Sequence, residues 1–274
     1  MKKIVLLLAV FAMGVACMAD SFLGFPIRQA TASGQGYEAE PSQEWAFSAD
    51  GSIGNTAYTT VWNCCDSTSV AIASAVDTIE VASSSASDTS AGNYAKTVRI
   101  CGIDTDYNYQ ENTISLDGQT VVVASEKFLA VFGAAVETVG SSATAAGDIW
   151  GAYNDTFAAG VPQTDAKKQF KIPSGAFCVS NNAWGFVPND LKGRFKCLSF
   201  TNNASSGYTN YALLVKQYGG PLKEMANWDV NDQLTLEEGD LNISLPEKCY
   251  WEIRAKDSAG YGVAIKVNGV IKLE

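Results

Sequence analysis

A chain of 274 residues with 47% hydrophobic content can form one large β domain or two smaller ones, and its 18% charged residues are too few and its apolar residues too many for a disordered chain. A formal charge of −10 with no basic cluster would repel a phosphate backbone, so nucleic acid is not expected as a direct partner. There is no histidine, which removes Ser-His and Cys-His catalysis, most catalytic zinc sites and the commonest general base; an enzyme here would have to run on carboxylates, Tyr, Lys or Cys alone.

Residues 1–19 have the layout of a secretory signal. Lys2 and Lys3 form a basic start, Ile4 to Val15 an apolar run too short to span a bilayer, and Ala16 and Ala19 offer cleavage points. "GVAC" also resembles a lipoprotein box around Cys17, but Gly14 stands where Leu is usual, so simple cleavage is favoured. Loss of Lys2 and Lys3 takes the charge from −10 to −12, and no membrane span is expected in the mature chain. A competing start at Met18 would give "MADSFLGFPIRQ", which suits a protein assembled in the cytoplasm. Of seven cysteines, Cys64, Cys65, Cys101, Cys178, Cys197 and Cys249 remain after Cys17 is set aside. They permit up to three disulfides in an exported chain, or buried thiols on strands. "CC" lacks the spacer a zinc site prefers.

Residues 20–44 show no sustained period and are expected to form an extended arm with an apolar opening at Phe22, Leu23, Phe25 and Ile27. From Trp45 the chain alternates strand-like runs and turns. "VASSSASDTSAGN" is a Ser-rich connection, and "KTVRICGID" a strand. "ENTISLDGQTVVV" predicts a β-hairpin at Asp117-Gly118, since Asp-Gly supplies the positive φ angles of a two-residue type I′ turn. "KFLAVFGAAVETVG" fits a strand or a short helix, with Val131, Phe132, Val136 and Val139 around Gly133 favouring the strand, and the polar Gly151–Gln169 stretch predicts the boundary between two units, at 45–160 and 161–274. The second unit opens with "FKIPSGAFCVS" and its Pro173–Gly175 turn. In "CYWEIRA", Trp251, Ile253 and Ala255 alternate with Glu252 and Arg254, the pattern of a half-buried strand. No segment predicts a long amphipathic helix. The fold class is therefore all-β, two β-sandwich or jelly-roll-like units with little helix.

Three groups of residues are candidate sites. Asp104, Asp106 and Asn108 match the first ligand positions of a calcium loop, but Tyr109 stands where Gly must permit the turn and Glu111 comes too early; a structural corner is the favoured reading and a weak cation site the alternative. Trp184, Phe186, Tyr208, Tyr211, Tyr218, Trp228, Tyr250, Trp251 and Tyr261 crowd the second half. In loops such as "NNAWGFVPND" and "TNNASSGYTNY" they would suit sugar stacking; inside a sandwich they are core or subunit interface. The carboxylates Glu137, Asp148, Asp155, Asp229, Asp232, Glu237, Glu238 and Asp240 show no motif that selects a catalytic pair and are expected to be a solvated surface. The sequons at Asn154, Asn203 and Asn242 match chance in a Ser/Thr-rich chain. No catalytic, cofactor-binding or metal residue is assigned, and no cofactor is expected.

Lys96–Ile149, "KTVRICGIDTDYNYQENTISLDGQTVVVASEKFLAVFGAAVETVGSSATAAGDI", resembles a segment of virion structural proteins of aquatic phages and related environmental viruses. The shared layout is a strand ending Gly102-Ile103-Asp104, a polar turn with Asn108, Glu111 opening the next strand, the Asp117-Gly118 turn, Phe128 with Val131, and Gly147-Asp148-Ile149. "FKIPSGAF" and the closing "KCYWEIRAKDSAGYGVAIKVNGVIKLE" look like the later turn and terminal hairpin of the same proteins, so that the resemblance, gaps included, extends over half to two-thirds of the chain. It implies a non-enzymatic capsid-surface, fibre or tail component whose partners are copies of itself and other virion proteins, with surface glycan as a further possible contact. The signal-like start departs from that family's pattern. The alternative is a secreted bacterial carbohydrate-binding or adhesive β-sandwich.

Overall fold

The computed structural model describes residues 43–53, 57–62, 64, 70, 72, 76–175, 179–180, 182–202, 208–231, 235–258 and 263–274, with the backbone only for 43–48, 50–53, 235–240, 242 and 263. The signal-like segment and nearly all of the expected arm lie outside the described residues. In chain order the strands are β1 (Gln43–Ile53), β2 (Thr59–Thr60), β3 (Asp77–Ser83), β4 (Ala95–Ile103), β5 (Tyr109–Ser115), β6 (Val122–Phe128), β7 (Ala130–Val139), β8 (Ile149–Tyr153), β9 (Phe157–Ala158), β10 (Val161–Pro162), β11 (Lys168–Ile172), β12 (Trp184–Phe186), β13 (Gly193–Asn202), β14 (Tyr208–Lys216), β15 (Leu222–Asn231), β16 (Thr235–Leu245), β17 (Tyr250–Asp257) and β18 (Val263–Leu273). Among the described residues the only helical piece is a single 3-10 turn at Asp165–Lys167, and no helix is long and apolar enough to cross a membrane. The fold is all-β, with antiparallel pairing throughout.

Two sandwiches account for all of these strands except β9 and β10, which form a small hairpin of their own. In the first, the sheet β11-β8-β3-β6 faces the sheet β5-β4-β7. Ile79, Val81, Val98, Ile100, Ile114, Phe128, Val131, Ile149, Phe170 and Ile172 meet between them. In the second, β1-β18-β13-β16 faces β12-β17-β14-β15, with β2 added beside β17. Phe195, Phe200, Tyr211, Leu213, Trp251, Ile253, Val267 and Ile271 fill its core. Period-two alternation builds both cores: in β17, Trp251, Ile253 and Ala255 all point inward.

The sheets divide the chain elsewhere than at residue 160. Strand β1 pairs along its whole length with β18, from Gln43 opposite Leu273 to Ile53 opposite Val263, so the stretch after Trp45 belongs with the C-terminal strands. Strand β11 pairs with β8, which places "FKI" in the first sandwich. The first sandwich is thus an insertion between β2 and β12 of the second. Local pattern marks strands but does not choose partners, because hydrogen-bonding edges are chemically alike.

The Asp117-Gly118 turn is also different from the expected hairpin. β5 pairs with β4 and β6 with β3, so the turn carries the chain from one sheet to the opposite one. Of the two residues only Gly118 has positive φ, at 60°. A two-residue turn with both residues at positive φ occurs instead at Ala159-Gly160, φ 48° and 76°, between β9 and β10.

β7 explains its own weak alternation. Val131 and Ala134 face the first core, while Ala130, Phe132 and Ala135 face the second sandwich. A strand buried on both faces has no polar side to display. The outer face of β12 and β17 is the other half of this joint: Phe186 lies 6.4 Å from Phe132 and 5.2 Å from Tyr250, centroid to centroid. The Ser180 amide donates to the Ala134 carbonyl at 2.8 Å, and the Asn182 side chain to the Phe132 carbonyl at 3.3 Å.

Candidate functional site

The Asp104–Asn108 corner is the turn of the β4-β5 hairpin. Ile103 stands opposite Tyr109, and the Asp104 amide donates to the Asn108 carbonyl at 3.1 Å. Asp104 Oδ1 accepts the amides of Asp106 (2.8 Å) and Asn108 (2.9 Å), and Oδ2 accepts the Asn108 side-chain amide (3.1 Å). The carboxylate is consumed by its own loop, as a short acidic side chain in a turn does. Glu111 is on β5, where the Tyr109 hydroxyl donates to it and Arg99 lies 3.7 Å away. Asp104 and Glu111 therefore serve different partners, and among the described residues no cluster of three potential metal-ligating acids or cysteines forms.

The corner's purpose is set by Tyr107, held at φ 67° at its tip. Its ring packs edge-on against Phe186 at 5.9 Å and Tyr218 at 5.3 Å, and its carbonyl accepts the Asn189 amide at 2.8 Å. The turn thus pins the first sandwich onto the second. Tyr107→Ala removes two aromatic contacts and should lower stability by about 2 kcal/mol. Denaturant titration of the variant checks this, and an unchanged midpoint would remove Tyr107 from the joint.

Asp88, in the Ser-rich connection between β3 and β4, is a fully buried acid to which local pattern assigns no role. Its carboxylate accepts the Ser83 hydroxyl at 2.6 Å, the Ala146 and Gly147 amides at 2.9 Å and the Ala95 amide at 3.1 Å. Its carbonyl accepts the Gly118 amide at 2.8 Å. One side chain thereby ties together the start of β4, the connection between β7 and β8 and its own loop. The available signal was that Asp88 is the only charged residue between Val81 and Ala95.

The other acids named above scatter. Glu137 accepts the Thr113 hydroxyl at 2.9 Å. Asp148 is paired with Lys171 at 2.9 Å and accepts the Ser174 amide at 2.9 Å; against the upward push of partial burial, these hold its carboxyl below the usual range. Asp155 accepts the Thr164 amide at 2.7 Å, and here too such bonds outweigh burial and lower the pKa. Asp232 and the side chains of Glu237, Glu238 and Asp240 lie outside the described residues, as do the sequon residue Asn203 and the side chain of Asn242. Glu252, expected on a solvent face, is buried: it accepts the Thr60 hydroxyl at 2.7 Å and pairs with Arg254 at 2.6 Å, because this end of the sheet lies near the joint between the sandwiches.

The aromatics divide in two groups. Trp184, Phe186, Tyr211, Tyr250 and Trp251 are buried, and Trp228 is half-buried against Phe200, centroids 4.8 Å apart. Tyr208 and Tyr218 are exposed, and Tyr261 lies outside the described residues. Among the cysteines, Cys65 and Cys178 are outside the described residues; Cys101 and Cys249 are buried thiols and Cys197 is an exposed one. Burial pushes the Cys249 thiol up to about 12 and the Cys101 thiol further. A thiol-specific reagent applied to the folded protein should therefore modify Cys197 and spare Cys101 and Cys249 until denaturant is added. Peptide mass spectrometry reads this out, and early modification of Cys249 would contradict its burial.

A polar and aromatic surface remains on the solvent side of the β17-β14-β15 sheet. Cross-strand register sets Asp229, Asn210 and Lys256 in one row and Asn227, Ala212, Arg254 and Thr60 in the next. The Tyr58 hydroxyl donates to Asn210 Oδ1, and Asn210 Nδ2 donates to Asp229 Oδ1 at 2.6 Å. Lys256 Nζ sits 4.6 Å from the centroid of the Tyr58 ring.

No protein-family model and no curated protein matches the chain. Among solved structures it is similar to the Yersinia pseudotuberculosis-derived mitogen, at 12% identity over 31% of this chain and 80% of that one, TM-score 0.20. It is similar to TmCBM61 in complex with beta-1,4-galactotriose, at 12% identity over 33% of this chain and 58% of that one, TM-score 0.20. It is also similar to a chain of infectious bursal disease virus Gt strain, at 8% identity over 85% of this chain and 72% of that one, TM-score 0.24. Superpositions this loose carry no weight for fold or function.

Proposed function

We propose that the chain is a non-enzymatic structural subunit of a virion, a capsid-surface, fibre or tail component that works by packing against copies of itself and other virion proteins. The observation that carries this reading is the placement of exposed apolar side chains. Six large ones are exposed among the described residues, and four of them, Tyr208, Tyr218, Leu222 and Met225, lie on the single hairpin β14-β15. Scattered apolar residues are ordinary on a surface, but a concentration on one element marks a contact. Met225 is the extra residue of a bulge, between Glu224 opposite Leu214 and Ala226 opposite Leu213. The resemblance of Lys96–Ile149 to virion proteins supports the setting, and the use of corner acids for loop closure supports the absence of turnover.

Sedimentation velocity over rising concentration, with electron microscopy of the product, tests it. Native chain should form defined assemblies, and Leu222→Glu with Met225→Glu should shift them to monomer without lowering the unfolding temperature. A chain that stays monomeric throughout would sink the reading. The second reading, a secreted carbohydrate-binding or adhesive protein, is favoured by one observation, the polar and aromatic surface on β14, β15 and β17.

A further inference from the structure

We infer that the solvent face of β14, β15 and β17 is a binding platform for a neutral oligosaccharide, with Tyr208 and Asp229 as its contact residues. This names the site for the second reading above and does not depend on the assembly reading.

The face follows from register. Tyr208, Asn210 and Ala212 are two residues apart on β14 and share one side of the sheet, while Thr209, Tyr211 and Leu213 are buried on the other. Across the sheet the first row sets Asn231 beside Tyr208, the second Asp229, Asn210 and Lys256, the third Asn227, Ala212 and Arg254. Asn210 and Ala212 are themselves buried, so the open groups of the face are Tyr208 on β14 and Asn227, Asp229 and Asn231 on β15.

The chemistry fits a sugar better than an ion, a nucleic acid or a protein core. A pyranose offers a C–H face, which an aromatic ring covers, and a rim of hydroxyls, which amides and carboxylates bond in pairs. Tyr208 is 43% exposed, enough to offer its ring. Asn210, only 5% exposed, accepts from Tyr58 and donates to one oxygen of Asp229. That chain fixes the carboxylate of an exposed residue on an edge strand. Orientation by a buried partner is how a recognition group is held ready for a ligand. Asn227 and Asn231 are exposed on the same side of β15 and add amide donors and acceptors.

Charge selects the class of sugar. Burial raises the Tyr58 phenol pKa and the nearby Glu224 and Asp229 add to the rise, so two carboxylates stand against the one ammonium of Lys256 at this ring. Arg254 is engaged by the buried Glu252, and Lys256 lies over the Tyr58 ring. Sialylated or uronate sugars would meet Asp229 and Glu224 with no free guanidinium to bind them. A neutral chain meets no such penalty.

The test uses the full chain against a panel of neutral gluco-, manno-, galacto- and xylo-oligosaccharides, with sialylated and uronate oligosaccharides as the acidic arm, read by titration calorimetry. Weak binding to at least one neutral class is expected, with Kd of about 10 μM to 1 mM. Tyr208→Ala and Asp229→Ala, both at exposed side chains, should each weaken it at least tenfold while the unfolding temperature stays within a few degrees. Binding of no neutral sugar, binding unchanged in both variants, or preference for the acidic arm would overturn the inference. Any of these with intact assembly by sedimentation would leave the virion reading standing; loss of assembly with sugar binding retained would do the reverse.

Discussion

Asp88→Ala should be the most destabilising single polar substitution among the described residues. It leaves the Ser83 hydroxyl and the amides of Ala95, Ala146 and Gly147 without their acceptor in a site closed to water. An abandoned buried donor costs about 1–3 kcal/mol, and relaxation of the two loops recovers part of the sum, so a loss of about 4 kcal/mol or more is expected. Asp88→Asn should lose less, because its remaining carbonyl oxygen still accepts while its amide nitrogen opposes donors. Equilibrium denaturation of the three proteins measures the order. If alanine falls within about 1 kcal/mol of native, the loops are held by something else.

Gly160→Ala should rival it for a steric reason. Gly160 has φ +76°, and a Cβ there would stand 1.8 Å from the Ser83 carbonyl oxygen. The left-handed conformation alone costs an L-residue about 1–2 kcal/mol. The carbonyl is backbone and cannot swing aside without moving the end of β3, which also carries the Ser83 hydroxyl bonded to Asp88. A total near 4 kcal/mol is expected, with the first sandwich destabilised first. Native-state hydrogen exchange at β3 and β8 would show this as early loss of protection, and unchanged exchange there would refute the close approach.

Assembly and glycan contact place different demands on the same hairpin. Tyr208 serves in both readings, so the variants that separate the two are Leu222 and Met225 at the turn-proximal end and Asp229 at the other.

The all-β class was legible because it rests on local chemistry. Alternation in "CYWEIRA" follows from the period-two geometry of a strand, and Asp104, Asp106 and Asn108 mark a corner because short polar side chains bond their own backbone. The Asp104 loop needed no tertiary information beyond this. Strand partnership was not legible: β1 joins β18 across nearly the whole chain, and Asp117-Gly118 links two sheets rather than two neighbours. Backbone edges carry no residue code, so only the burial of both cores together selects the pairing. Likewise nothing local marked Glu252 for burial, and Asp88 was marked only by its isolation in a Ser-rich stretch, because whether a carboxylate is solvated depends on what the rest of the chain lays over it. Local pattern is enough to mark most strands and corners; the packing of the whole chain chooses which strands meet, which acids are enclosed, and which tyrosines stay on the surface.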